Sequence, residues 1–173
     1  MKILCIDDAL DLTHGPTYRS LRREEWFDLN FYTPSNSHYR KENPTFEGPE
    51  ELIALLKQNY QGLIIEPRML QPKGQRMEEI VTEFERYATA IIESGFAGKV
   101  VVFTSNAYVP LLNTIQRTSW PLFCAPLDNF ETANLSRALK GLPLKALEPF
   151  QGRGFTLCLS CEHFDEPCDP RYC

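Results

Sequence analysis

The sequence predicts an α/β fold in which one parallel sheet is wound on both sides by helices. Three observations carry that expectation. Short continuous apolar runs, the mark of strands buried on both faces, recur at residues 2–6, 62–65 and 100–103. Longer segments with apolar residues at helical spacing separate them. Polar and acidic residues stand where the apolar runs stop, as expected at the carboxyl ends of parallel strands where ligands gather.

The elements follow in order. Lys2 to Ile6 reads as a buried strand ending at Asp7 and Asp8. A helix over roughly 16–26 carries Tyr18, Leu21 and Trp26 as its apolar residues, and residues 28–32 alternate as a second strand. Pro34, Pro44 and Gly48 mark residues 33–48 as a long loop, in which Tyr32, His38, Tyr39, Arg40 and Lys41 are either an interaction element or a plain insertion. Pro49 suits a first helical position, Glu50 and Glu51 favour the positive end of a helix, and Leu52, Ile53, Leu55 and Leu56 supply its apolar face.

After the third strand at 62–65, the longest helix is predicted over 76–94. Met77, Ile80, Val81, Phe84, Tyr87, Ala88, Ile91 and Ile92 hold its spacing, and Gly95 stops it. Val100 to Phe103 forms the fourth strand, ending at Thr104-Ser105-Asn106. A helix near 108–117, a fifth strand near 120–125 and a last helix capped by Asp128 with Glu131 complete the alternation. Right-handed crossovers then place helices on both faces of the sheet. The expected division is an α/β domain over 1–142, a Pro- and Gly-bearing linker over 143–157, and a cysteine-rich tail over 158–173.

Composition narrows the function classes. The 173 residues are 43% hydrophobic and 24% charged, an ordinary globular mixture. A net charge of −5 disfavours free nucleic acid as the main partner, because a sequence-independent binder needs a basic surface to displace counterions. No stretch approaches a membrane span, and the apolar start is too short for a signal-peptide core. The expected location is cytoplasmic, where clustered cysteines suggest metal before disulfides.

Asp7, Asp8 and Glu66, with Thr104 and Ser105, would meet beyond the strand ends as an acidic pocket. Three carboxylates there could hold a hard cation such as Mg²⁺ through oxygen ligands; otherwise Asp7 and Asp8 are loop or capping acids. Thr104 reads equally as a cap of the following segment.

Several segments resemble the receiver domains of response regulators. Ile3-Leu4-Cys5-Ile6-Asp7-Asp8 is similar to their first strand and acidic pair, and Pro49 to Met69 to their second helix and third strand. Val100 to Ser105 resembles their fourth strand with its switch hydroxyl, and Ala125-Pro126 with Glu131 and Leu135 their last strand end and helix. The resemblance spans about residues 1–142 and implies a five-stranded sheet in the order 2-1-3-4-5, with a role in bacterial-type signal transduction.

Two departures stand out. Receivers accept a phosphoryl group on an aspartate where this chain has Glu66, whose extra methylene displaces the oxygen from the line of attack. They also carry a lysine where this chain has Ala125. The expectation is a pseudo-receiver that does not undergo ordinary phosphotransfer. Glu66 then either imitates the phosphorylated state or is a polar strand end facing solvent.

In the tail, Cys158-x2-Cys161-x6-Cys168-x4-Cys173 offers four thiolates, enough for a closed tetrahedral zinc site at about 2.3 Å per bond, with His163 a possible substitute. An iron–sulfur cluster, disulfides or redox switching, and free thiols are the other readings. Cys5 and Cys124 fall in strands and are expected to be buried and inert.

The leading functional expectation is a non-enzymatic signalling or scaffolding protein that binds another protein, either a different chain or a second copy of itself as a homodimer. Its surface would lie around 104–140, where Leu111, Leu112, Trp120 and Phe130 are apolar candidates. A zinc-dependent nucleic-acid or nucleoprotein adaptor is the second reading, countered by Glu162, Asp165, Glu166 and Asp169 near the cysteines. A small Mg²⁺-dependent enzyme or nucleotide binder is the third. Against it, Asp7 and Asp8 are adjacent rather than alternate, there is no glycine-rich phosphate loop or G-x-S-x-G elbow, and His14, His38 and His163 show no pairing with a nucleophile.

Overall fold

The computed structural model describes residues 1–7, 14–32, 46–70, 76–105 and 108–146. Its strands are β1 (Lys2–Ile6), β2 (Asp28–Phe31), β3 (Gly62–Ile65), β4 (Lys99–Thr104) and β5 (Leu122–Cys124). The helices are α1 (Gly15–Arg22), α2 (Pro49–Leu56), α3 (Met77–Glu93), α4 (Val109–Arg117) and α5 (Asn129–Leu139), with a 3₁₀ turn at Pro67–Leu70. All strands pair in parallel, in the order β2-β1-β3-β4-β5.

Alternation along the strands divides the core in two. Leu4, Ile6, Leu63, Ile65, Val100 and Val102 point to one face and meet Leu52, Ile80, Phe84, Ile91, Leu111 and Ile115 from α2, α3 and α4. Ile3, Cys5, Ile64, Val101, Phe103 and Phe123 point to the other, against Tyr18 and Leu21 of α1 and Leu135, Ala138 and Leu139 of α5. Each fully buried Leu, Ile or Val contributes about 1.5–3 kcal/mol, so the central strands are where the fold is fixed. Packing is close at Gly62, where a Cβ would stand 2.5 Å from Ile3 Cδ1 and the Ile3 side chain would have to shift.

Helix ends follow their local chemistry. Asp128 Oδ1 accepts from Glu131 N at 2.7 Å while Glu131 Oε2 accepts from Asp128 N at 3.1 Å, the reciprocal cap expected from the sequence. Gly95 and Gly141 both adopt φ +67° just past α3 and α5, a conformation that side chains resist. Beyond α5, Lys145 N donates to Asn134 Oδ1 and Asn134 Nδ2 to Lys145 O, which ties the chain back along the helix.

Four expectations change. The first helix ends at Arg22 rather than near 26, because Phe27 must turn inward and Asp28 must pair with Lys2 to start β2. Trp26, counted among the apolar residues of that helix, consequently lies outside it and is 67% exposed. Ile92 is also exposed, since Ile91 takes the inward position at that turn of α3. Cys124 is exposed rather than buried, because β5 is the sheet edge and only its middle residue, Phe123, is buried. Cys5 is buried as expected. Of the predicted loop, 33–45 lies outside the described residues; at its ends Tyr32 stacks on buried Phe46, with centroids 4.6 Å apart.

Candidate functional site

The sheet itself brings the site together. Ile6 pairs with Ile65, and Ile65 with Val102, so the residues just past these strands emerge side by side. Glu66 N extends the ladder by one bond to Ile6 O at 3.0 Å, which sets Glu66 beside Asp7. Pro67 has no N–H and ends the ladder there, and Met69 N closes the 3₁₀ turn onto Glu66 O at 2.8 Å. Thr104 ends β4 on the other side, and Ala125 N donates to its carbonyl at 2.8 Å.

Asp7 and Glu66 are each only 1% exposed. Asp7 Oδ2 accepts from the Tyr18 hydroxyl at 2.5 Å and lies 2.7 Å from His14 Nδ1. With a proton on Nδ1, the imidazole donates to Asp7 Oδ2 in that pair. His14 is fully buried, its ring stacked on Phe103 with centroids 4.2 Å apart, and its Nε2 lies 3.7 Å from Glu66 Oε2. Glu66 Oε1 accepts from Thr104 Oγ1 at 3.0 Å, Arg68 N at 3.2 Å and Arg68 Nε at 3.3 Å. Its Oε2 accepts from Ser105 N at 3.3 Å. Arg68 Nη2 donates onward to Ser105 Oγ at 2.7 Å, closing a ring of polar groups.

Burial pushes the Glu66 carboxyl above the usual carboxylate range. Arg68 opposes that shift, the Asp7 charge adds to it, and the Arg68 N–H and His14 oppose it further. The Tyr18 hydroxyl is pushed well up, first by burial and then by the Asp7 charge. Tyr18 is therefore a fixed donor in the pocket and not a titrating one.

Of the residues expected at the pocket, Asp7, Glu66, Thr104 and Ser105 converge, while Asp8 lies outside the described residues. Glu66 does not face solvent; donors from the 3₁₀ turn and the end of β4 enclose it. Thr104 turns its hydroxyl onto Glu66, and the start of the segment it was expected to cap, residues 106–107, lies outside the described residues. His14, Tyr18 and Arg68 were not expected here, and His14 pairs with an acid rather than a nucleophile. Their signal was weak but present: His14 and Tyr18 are four residues apart, on the turn-by-turn face that also carries buried Leu21.

Among the described residues, the groups around these two carboxylates do not fit Mg²⁺, which demands near-octahedral oxygen ligands at about 2.0–2.1 Å. An imidazole stands between the two carboxylates, and a phenol and a guanidinium turn N–H and O–H groups, not lone pairs, toward them. Among the described residues no three His, Cys, Asp or Glu side chains are arranged to hold a metal ion. Ala125 presents only a methyl group before Pro126, with a cis peptide between them, and the cation paired with Glu66 is Arg68 from the 3₁₀ turn. Cys158, Cys161, His163, Cys168 and Cys173 lie outside the described residues. No helix of the described residues is long and apolar enough to cross a membrane.

No family model matches the chain, and no curated protein matches it. Solved structures do. The isolated receiver domain of RcsB from Salmonella enterica serovar Typhimurium, in the presence of phosphomimetic BeF₃⁻, is 18% identical. That match has a TM-score of 0.53 and covers 82% of this chain and 90% of that one. A response regulator receiver protein from Burkholderia phymatum is 16% identical with a TM-score of 0.50, covering 84% of this chain and 98% of that one. RcsB bound to the rprA promoter matches at 18% identity and a TM-score of 0.52, with 83% and 68% covered. The chain has the receiver-type fold: a five-stranded parallel sheet in the order 2-1-3-4-5 between two helix layers.

Proposed function

We propose that the chain is a receiver-like signalling or scaffolding protein that works without phosphorylation, through contacts with another protein. One observation carries this reading: both oxygens of Glu66, the residue at the acceptor position, are already engaged by the chain's own donors. Phosphoryl transfer needs an acceptor oxygen free to attack in line, and positioning supplies most of the catalysis. Glu66 offers neither a free oxygen nor the shorter reach of aspartate.

The same bonds give Glu66 a second role. Its carboxylate draws the Thr104 hydroxyl inward and fixes Ser105, the residue that follows β4. That is the arrangement a phosphoryl group would otherwise have to create, so the surface formed by α4, β5 and α5 is held in one state. Val109 is exposed there and Leu112, Trp120 and Phe130 are half-buried, which gives the partner apolar contacts; Leu111 belongs to the core. By spacing alone, Cys158, Cys161, Cys168 and Cys173 order the tail around a structural zinc ion.

Native mass spectrometry of the full chain, before and after incubation with acetyl phosphate and Mg²⁺, tests both parts. The expected spectrum shows one zinc per chain, lost on changing Cys158 and Cys161 to Ser, and no added phosphoryl group. A phosphoryl adduct that disappears in Glu66→Gln would overturn the phosphorylation-independent reading.

A further inference from the structure

We propose that the His14 side chain takes the place of the divalent cation in this acidic pocket, so that the chain neutralises its own strand-end carboxylates. The inference deepens the reading above and takes from it the role of the pocket.

The two ring nitrogens of an imidazole point in nearly opposite directions. Here one lies 2.7 Å from Asp7 Oδ2 and the other 3.7 Å from Glu66 Oε2, so the ring itself fills the gap between the acids. A cation bridging Asp7 Oδ2 and Glu66 Oε2 would have to occupy the space of those ring atoms. The ring is also held from outside the pocket: Phe103 lies against its face at an interplanar angle of 26°, and no part of His14 reaches solvent. The Tyr18 hydroxyl shares Asp7 Oδ2 with it, which leaves that oxygen saturated.

Electrostatics supplies the reason for such a plug. Two carboxylates buried side by side are expensive unless each is paired and hydrogen-bonded. Receiver-like topology forces Asp7 and Glu66 together whatever their partners, because the β1–β3 register brings both to the same level. A mobile ion would make the state of the pocket depend on ion concentration. A histidine delivered at the start of α1 makes it permanent, with Arg68 covering Glu66 from the other side. Among the described residues the charged and titratable groups around the ring are thus Asp7, Glu66, Tyr18 and Arg68, with Cys5 on β1 below.

The test uses full-length, ¹⁵N-labelled protein titrated with Mn²⁺, a paramagnetic substitute for Mg²⁺, following the amides of Asp7, Glu66 and Thr104. The wild type is expected to show no saturable broadening of these amides at millimolar Mn²⁺. In His14→Ala the gap opens between two carboxylates, and saturable broadening is expected with affinity at least tenfold above any wild-type effect. Saturable broadening in the wild type, or a folded His14→Ala that gains none, would overturn the assignment. If His14→Ala does not fold, His14→Gln serves in its place, and the wild-type titration decides by itself. Mn²⁺ bound to wild type with no phosphoryl adduct from acetyl phosphate defeats only the cation assignment. A phosphoryl adduct without Mn²⁺ binding defeats only the phosphorylation-independent reading.

Discussion

Asp7 and Glu66 end neighbouring strands, carry the same charge and are equally buried, yet different parts of the chain hold them. Asp7 is held from α1, by His14 and Tyr18, both of which sit in the core against Phe103. Glu66 is held from β4 and the 3₁₀ turn, by Thr104, Ser105 and an Arg68 whose side chain is 41% exposed. One half of the pocket is therefore an anchor between strand and helix. The other reaches the rim and leads into α4. Burial of a carboxylate does not fix its role; the place and exposure of the groups that answer it do.

The sharpest way to break the comparison is Asp7→Ala. It strips the acceptor from a buried hydroxyl and a buried imidazole together, and breaking a buried pair in this way typically costs about 3–5 kcal/mol. Urea denaturation should show a loss in that range, with the unfolding slope retained. A loss under about 1 kcal/mol would mean that α1 is not anchored through Asp7.

Glu66→Gln probes the other half and gives a pH signature. Because burial raises the Glu66 carboxyl, the folded chain binds that proton more tightly than the unfolded chain, whose value lies at about 4.3. The stability this contributes is complete below the unfolded value and lost as pH rises through the raised folded one. Wild type should therefore lose stability relative to Glu66→Gln as pH climbs through that window, read from denaturation midpoints of both proteins. Parallel curves would contradict the raised carboxyl.

The smallest effect is expected from Arg68→Ala. A partly exposed ion pair contributes at most about 1 kcal/mol, so the fold should survive with a denaturation midpoint close to wild type. Since Arg68 opposes the upward push on Glu66, its removal should move the pH-dependent loss of stability to higher pH. An unmoved profile would transfer the control of Glu66 to Thr104 and Ser105.

Much of this molecule was legible in one dimension. The apolar runs at 2–6, 62–65 and 100–103 could only be strands buried on both faces, and the cap of Asp128 with Glu131 and the stop at Gly95 are chemistry local to a few residues. Asp7, Glu66, Thr104 and Ser105 were legible for the same reason: a residue just past a parallel strand has a known place in the sheet. Partners drawn from other elements were not. Which nitrogen of His14 meets which acid, and that Arg68 rather than a residue at 125 covers Glu66, depend on how α1 and the 3₁₀ turn pack against the sheet. Trp26 and Cys124 failed similarly, since helical spacing cannot foresee where β2 must begin, nor strand composition which strand is the edge. The sequence by itself determined the alternation, the strand ends and the absence of an aspartate and a lysine at two positions. Only the tertiary structure decided that the carboxylates are enclosed by their own chain, because enclosure is a property of contacts between elements far apart along it.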